Sequence, residues 1–150
     1  MYNNKLAETE QKQNNQNNHF VYDWSDFTIL VVEDDIINFK VTESILRSTG
    51  IRVLHAPNGY KAIDYVHFNP QINLVVMDVL LPDISGFETT REILGINPLL
   101  PIIAQTTTCK ELYIKAGCVD YINRPNYAKS LVKKMSKFLE NKYENAKIPA

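Results

Sequence analysis

Acids, a hydroxyl and one cation stand where the apolar runs of this chain end. Glu33-Asp34-Asp35 follows Thr28 to Val32, Asp78 follows Leu74 to Met77, Thr106 follows Pro101 to Gln105, and Arg124 lies just past Val119 to Ile122. A lone acid after an apolar run is ordinarily a solvated loop charge. Two acidic sites brought together are different, because carboxylates held close repel one another and a cation relieves the repulsion. An all-oxygen set of this kind suits Mg²⁺, which keeps several waters and takes a few carboxylates together with phosphate oxygens. A Thr hydroxyl and a positive side chain beside that centre suit a phosphoryl group. The spacing predicts a metal-assisted phosphate site, provided the fold brings Glu33, Asp34 and Asp78 together.

The elements that must do this are legible as alternating patterns. Thr28-Ile29-Leu30-Val31-Val32, Ile51 to Ala56, Leu74 to Asp78, Pro101 to Gln105 and Val119 to Ile122 are short apolar runs, as strands buried on two faces should be. Between them, Ile37, Val41, Ile45 and Leu46 recur at helical spacing up to Thr49, with Gly50 as the stop. Ala62, Ile63 and Val66 mark a second helix ending before Pro70, and a third runs from about Ser85, a plausible N-cap, to Gly95. A short helix over 108–116 closes at Gly117. The last helix, about Tyr127 to Tyr143, carries Leu131, Val132, Met135, Phe138 and Leu139 on one side and Lys129, Lys133, Lys134 and Lys137 largely off it, as a solvated face. Strand and helix in regular alternation predict an α/β three-layer sandwich. Right-handed crossovers favour a five-stranded parallel sheet in the flavodoxin-like order 2-1-3-4-5. In that order the first and third strands are neighbours, and Glu33, Asp34 and Asp78 share one crevice.

Composition narrows the rest. The 150 residues suffice for one domain with a full core. A net charge of −1 argues against general affinity for nucleic acid or anionic membrane. No apolar run approaches the roughly 20 residues that span a bilayer, and the polar N-terminus lacks a signal-peptide core, so no membrane insertion is expected. Cys109 and Cys118 form neither a CxxC pair nor a metal cluster and read as reduced thiols of a cytoplasmic protein. His19, His55 and His67 are scattered and read as bystanders. The expected organisation is a disordered polar tail over 1–19, an aromatic strap over 20–26 carrying Phe20, Tyr22 and Trp24, a folded domain over 27–143, and a tail over 144–150.

Ile29 to Asp35, Met77 to Glu88 and Pro101 to Thr106 together resemble the response-regulator receiver domain of two-component signalling, over about residues 27–143. Several motifs stand in the right order on the right elements, which is more specific than a lone motif. Asn38, Asn58-Gly59 and Ala116-Gly117-Cys118 look closest to receivers of hybrid histidine kinases, and Tyr22-Asp23-Trp24-Ser25 resembles the lead-in between kinase and receiver. With no kinase ahead of it, the chain reads as a stand-alone regulator or a fragment.

The resemblance implies that Asp78 accepts a phosphoryl group from a phosphohistidine, in a Mg²⁺-dependent reaction, and forms an acyl phosphate. It implies Asp34 and Asp78 as direct metal ligands, Glu33 assisting through water, and the Leu80 carbonyl completing the set. It makes Thr106 a donor to the phosphoryl group, Tyr121 the switch aromatic, and Pro125 the residue after a cis peptide. The family carries Lys where this chain has Arg124, whose planar fork is not equivalent to a compact ammonium. The segment from Thr106 to Arg124 is shorter than the family's by about four residues, close to one helical turn, and Thr107 stands where a small residue is usual. Phosphotransfer, switching and partner choice are the properties these departures touch.

The expected partners are a histidine kinase or histidine phosphotransfer protein, docking near the first helix, and a downstream output protein. No direct nucleic-acid contact is expected, and a homodimer is compatible with the fold. The protein is read as a phosphoacceptor signalling domain that catalyses only its own phosphorylation and dephosphorylation. The alternative is a degenerate receiver that binds proteins without regulated phosphorylation. A third reading is an enzyme on the same fold. An aspartyl phosphatase would need a second acid, for which Asp83 could be proposed, and a cap that is not visible. A flavin binder would want a phosphate-cradling loop where Glu33-Asp34-Asp35 stands.

Overall fold

The computed structural model describes residues 22–107, 110–123 and 127–146. The polar tail over 1–19, Phe20, Cys109, Arg124, Pro125 and residues 147–150 lie outside the described residues.

The apolar runs pair as a single sheet. Its strands are β1 (Thr28–Val32), β2 (Arg52–Ala56), β3 (Ile72–Asp78), β4 (Ile102–Gln105) and β5 (Asp120–Ile122), in the order β2-β1-β3-β4-β5 with every pairing parallel. The crossovers are α1 (Ile36–Leu46), α2 (Gly59–Phe68), α3 (Gly86–Ile96) and α4 (Lys110–Ala116), and α5 (Tyr127–Ala146) follows the last strand. This is the flavodoxin-like sandwich that the alternation predicts. β3 begins at Ile72, two residues ahead of the apolar run that reveals it. Where the β1–β3 register slips after Thr28, the Asn73 side chain takes the Thr28 N–H at 2.8 Å.

Side chains alternate across a strand, so each central strand feeds two cores. Ile29, Val31, Leu74, Val76 and Ile103 pack with Phe39, Leu46, Leu131, Met135 and Leu139 on the α1/α5 side. Leu30, Val32, Val75, Met77 and Ala104 pack with Ala62, Val66, Ile93 and Tyr113 on the other side. Cys118 belongs to this second core; burial pushes its thiol up to about 11, so it is an inert apolar group. The Trp24 side chain is buried in the first core, and the Trp24 backbone N–H donates to the Thr49 carbonyl at 2.7 Å.

Two elements depart from the sequence pattern. In α1 the buried residues are Phe39, Thr42 and Leu46, whereas Ile37 and Val41 are exposed. The apolar spacing of Ile37 and Val41 therefore marks a solvent-facing stripe. The helix also tightens into a 3₁₀ turn over Arg47–Thr49 and closes on Gly50 at φ 72°. Glycine enters that left-handed region without a Cβ penalty. In α5, Lys129, Lys133 and Lys137 are solvated as expected, but Lys134 is not. Its ammonium lies 2.7 Å from Asp120 Oδ1 and 2.6 Å from the Tyr121 carbonyl, over the Tyr121 ring at 4.7 Å. It pins α5 to the edge strand.

The segment after β3 is fixed from two directions. Gly86 begins α3 so close to β3 that a Cβ there would lie 2.4 Å from the Asp78 carbonyl oxygen and 2.8 Å from Val79 Cα. Asp83 reaches back to α2, accepting from Gly59 N–H at 2.9 Å and Tyr60 N–H at 2.8 Å. Partial burial pushes the Asp83 carboxyl up, but the N–H groups of Tyr60, Gly59, Ile84 and Asp83 outweigh it and hold the group below the usual carboxylate range.

Gly86→Ala should lower stability by about 1–3 kcal/mol in urea unfolding, because the clash is with backbone. Gly95→Ala, whose Cβ meets nothing within 4 Å, should instead raise it by about 0.5–1 kcal/mol. Asp83→Asn should lower stability slightly near neutral pH, because charge-assisted bonds to the Gly59 and Tyr60 N–H groups become neutral ones at an exposed, solvent-screened position. A lowered folded pKa gives stability that is full above about pH 4, where the unfolded-chain carboxyl ionises. That stability is lost as pH falls through the folded value. The gap between wild type and variant should therefore close on acidification, read from unfolding curves across the acid range.

Candidate functional site

β1 and β3 are neighbours, and their carboxyl ends deliver the acids side by side. One carboxylate oxygen each from Glu33, Asp34 and Asp78 lies within 4.8 Å of the others. Glu33 is 1% exposed and Asp78 8%, whereas Asp34 is exposed. The sequence expectation that these residues share one crevice holds in the geometry. Asp35, third in the run, borders the crevice but is not one of the clustered carboxylates: it is the N-cap of α1, accepting from Ile37 N–H at 2.8 Å and Asn38 N–H at 3.2 Å. Its own N–H donates to Glu33 Oε1 at 3.1 Å. One residue thus starts the helix and holds the buried carboxylate.

His55 is not a bystander. Its Nε2 meets the Glu33 carbonyl oxygen at 2.8 Å, and its ring stacks on Phe39 at 3.9 Å, which fixes the backbone at the end of β1 from the β2 side. On the β3 side, the Leu80 N–H donates to Asp78 Oδ1 at 3.2 Å, while the Leu80 side chain is exposed. The Leu80 backbone therefore turns beside Asp78.

The floor of the crevice is the end of β4. Asp78 pairs with Gln105, and Thr106 follows, its N–H bonded to the Ile122 carbonyl at 3.0 Å. The open crevice, about 540 Å³, is lined by Glu33, Asp34, Asp78, Leu80, Gln105 and Thr106, with Tyr113 behind. The site hydroxyl and the acids thus share one space. Gln105 faces the α1/α5 layer, where its buried amide adjoins a cavity of about 210 Å³ lined by Asn38, Thr42 and Tyr127. Val41 lines it as well. Arg124, the expected cation, lies outside the described residues. Tyr121 is half-buried on β5, packed at the margin of the second core and under Lys134.

The donor set is oxygen only, from acids of which two are buried, and it fits a hard divalent cation better than a softer metal. Tyr113 is the site residue that sequence reasoning missed. It is 2% exposed, and its hydroxyl donates a hydrogen bond to Thr106 Oγ1. Nothing in the pattern over 108–116 marks it, because the contact depends on the path of the chain after Thr106.

Residues 29–136 match the family described as the response regulator receiver domain. The transcriptional regulatory protein ZraR of Klebsiella oxytoca is 35% identical over 102 residues, covering 65% of this chain and 23% of that one. This chain thus spans about a quarter of the length of that relative. A solved receiver domain of a sensor histidine kinase from Pseudomonas aeruginosa, with magnesium coordinated in its active-site cleft, is 30% identical with a TM-score of 0.70, covering 76% of this chain and 98% of that one. The receiver domain of the Saccharomyces cerevisiae response regulator Ssk1, solved with the histidine phosphotransfer protein Ypd1, is 26% identical with a TM-score of 0.69, covering 75% and 88%. With its sheet order, its acid cluster and these matches, the chain belongs to the response regulator receiver family of two-component signalling.

Proposed function

We propose that Asp78 is the phosphoacceptor of a phosphorelay and takes its phosphoryl group from a phosphohistidine on a histidine kinase or histidine phosphotransfer protein. The observation that carries this reading is the convergence of Glu33, Asp34 and Asp78 from two strand ends within 4.8 Å. An Asp78 carboxylate oxygen attacks phosphorus in line. A P–O bond forms as the P–N bond to the donor imidazole breaks, and the departing nitrogen keeps the electron pair and takes a proton from solvent.

Glu33, Asp34 and Asp78, with the Leu80 carbonyl, are the groups that would hold a magnesium ion. When bound, that ion supplies positive charge against the acids and the oxygens of the transferring group. The Thr106 hydroxyl donates to a phosphoryl oxygen, and Arg124 supplies a second positive charge. Leu80 N–H holds one Asp78 oxygen and so orients the carboxylate. Tyr121 is the aromatic that would follow Thr106 inward, passing the change through β5 and α5 to an output protein in the cytoplasm. The magnesium-bound Pseudomonas receiver and the yeast complex support the metal and the donor class by similarity. The competing reading, a receiver that binds partners without turnover, is favoured by Arg124 in place of the family's Lys.

Incubation with acetyl phosphate and Mg²⁺ should add one phosphoryl group by intact mass. Asp78→Asn or excess chelator should abolish the gain. No gain in the wild type, or an equal gain in Asp78→Asn, overturns the proposal in favour of the competing reading. Independently of phosphorylation, magnesium at about ten times its Kd should stabilise the wild type by about 1.4 kcal/mol by mass action. Asp78→Asn should be more stable than wild type in chelator and gain less from magnesium, because one repelling charge is gone. Thermal melts with and without the ion read this.

A further inference from the structure

We propose that Tyr113 is a positioning residue for the phosphoryl site: through its hydrogen bond to Thr106, helix α4 sets the direction in which the Thr106 hydroxyl donates and senses when that donation is used. The inference rests on the reading of Asp78 as phosphoacceptor.

The Tyr113 hydroxyl donates to Thr106 Oγ1 across only seven residues of chain, inside the second core. The two hydroxyl-bearing residues both line the crevice that holds Asp78. Accepting one hydrogen bond also polarises a hydroxyl and strengthens it as a donor. Thr is β-branched and restricted at χ1, so a fixed partner on one side selects the rotamer presented on the other. Tyr113 thus links α4 through Thr106 to the crevice that holds Asp78.

Tyr113 cannot shift alone. Its ring packs on Phe87 of α3 with centroids 4.9 Å apart, and its carbonyl accepts from the Cys118 N–H at 3.0 Å. Close-packed interiors respond to displacement as units. A helix of seven residues has little stability of its own and depends on such tertiary ties. Drawing Thr106 toward a phosphoryl group would therefore pull on α4 directly, and with it Leu112 and Ile114, the half-exposed apolar neighbours of Tyr113. This route is separate from the Tyr121 route through β5.

The test is a double-mutant cycle on the full chain. Labelling by acetyl phosphate with Mg²⁺ is followed by intact mass in wild type, Tyr113→Phe, Thr106→Val and the double variant. The expected result is a three- to tenfold slower rate in Tyr113→Phe, roughly what one neutral hydrogen bond supplies, and no further loss when Thr106 is already Val. The Tyr113 ring carbon signal, assigned by its absence in Tyr113→Phe, should shift on labelling in wild type and stay in place on labelling in Thr106→Val. A wild-type rate in Tyr113→Phe, or the same loss in both Thr106 backgrounds, overturns the inference while leaving the phosphoacceptor reading intact. Failure of the wild type to label removes both. Should Tyr113→Phe not fold, the comparison is made in a Tyr121→Phe background, which removes the other route: a tyrosine ring shift on labelling that is lost when Thr106 is also Val supports the link, and no such shift overturns it.

Discussion

Like charge at the ends of β1 and β3 is the constraint to which the rest of the molecule answers. Two carboxylates about 4–5 Å apart repel by roughly 3–4 kcal/mol at the effective dielectric of a protein site, and here two of the three acids are largely withdrawn from water. They stay together because they are attached to strands that cannot part. All five residues of β1 are buried, and six of the seven in β3. Each buried aliphatic side chain contributes about 1.5–3 kcal/mol, so a few of them offset the repulsion. The sandwich thus sets the spacing of its acids through the packing of the strands that carry them.

Around this centre the helix starts do two jobs each. Asp35 caps α1 while its N–H holds Glu33. Ser85 caps α3, and the next residue, Gly86, lets that helix lie against the Asp78 carbonyl. Asp83 takes the first N–H groups of α2 and so anchors the loop that begins at Asp78. Orphan N–H groups at helix ends require partners in any case; this chain supplies them with the residues that line or tether the crevice. The precision of the site therefore comes from local capping as well as from the sheet.

The parts legible in the sequence are those set by local pattern. Apolar runs of strand length, glycine stops and the acids at run ends were enough to order the sheet and to bring Glu33, Asp34 and Asp78 together. The inward face of α1 was not legible, because Ile37 and Val41 are apolar at helical spacing but lie outside, and Phe39 with Thr42 takes the core instead. Lys134 looks like its solvated neighbours until β5 places Asp120 opposite it. His55 and Tyr113 acquire their roles only through contacts with residues 22 and seven positions away. Periodicity reports which way a side chain faces along its own element, and it carries no information about which polar group waits there.

Trp24 is the chain's one indole, and it sits in the core beneath α1 and α5, tied to the turn that ends α1. Thr106 and Tyr113 face the opposite layer. Intrinsic fluorescence will consequently watch the wrong half of the sandwich for anything that happens between β4 and α4, and it will respond chiefly when the whole layer comes apart. An optical probe of signalling in this molecule has to be introduced on the other side of the sheet.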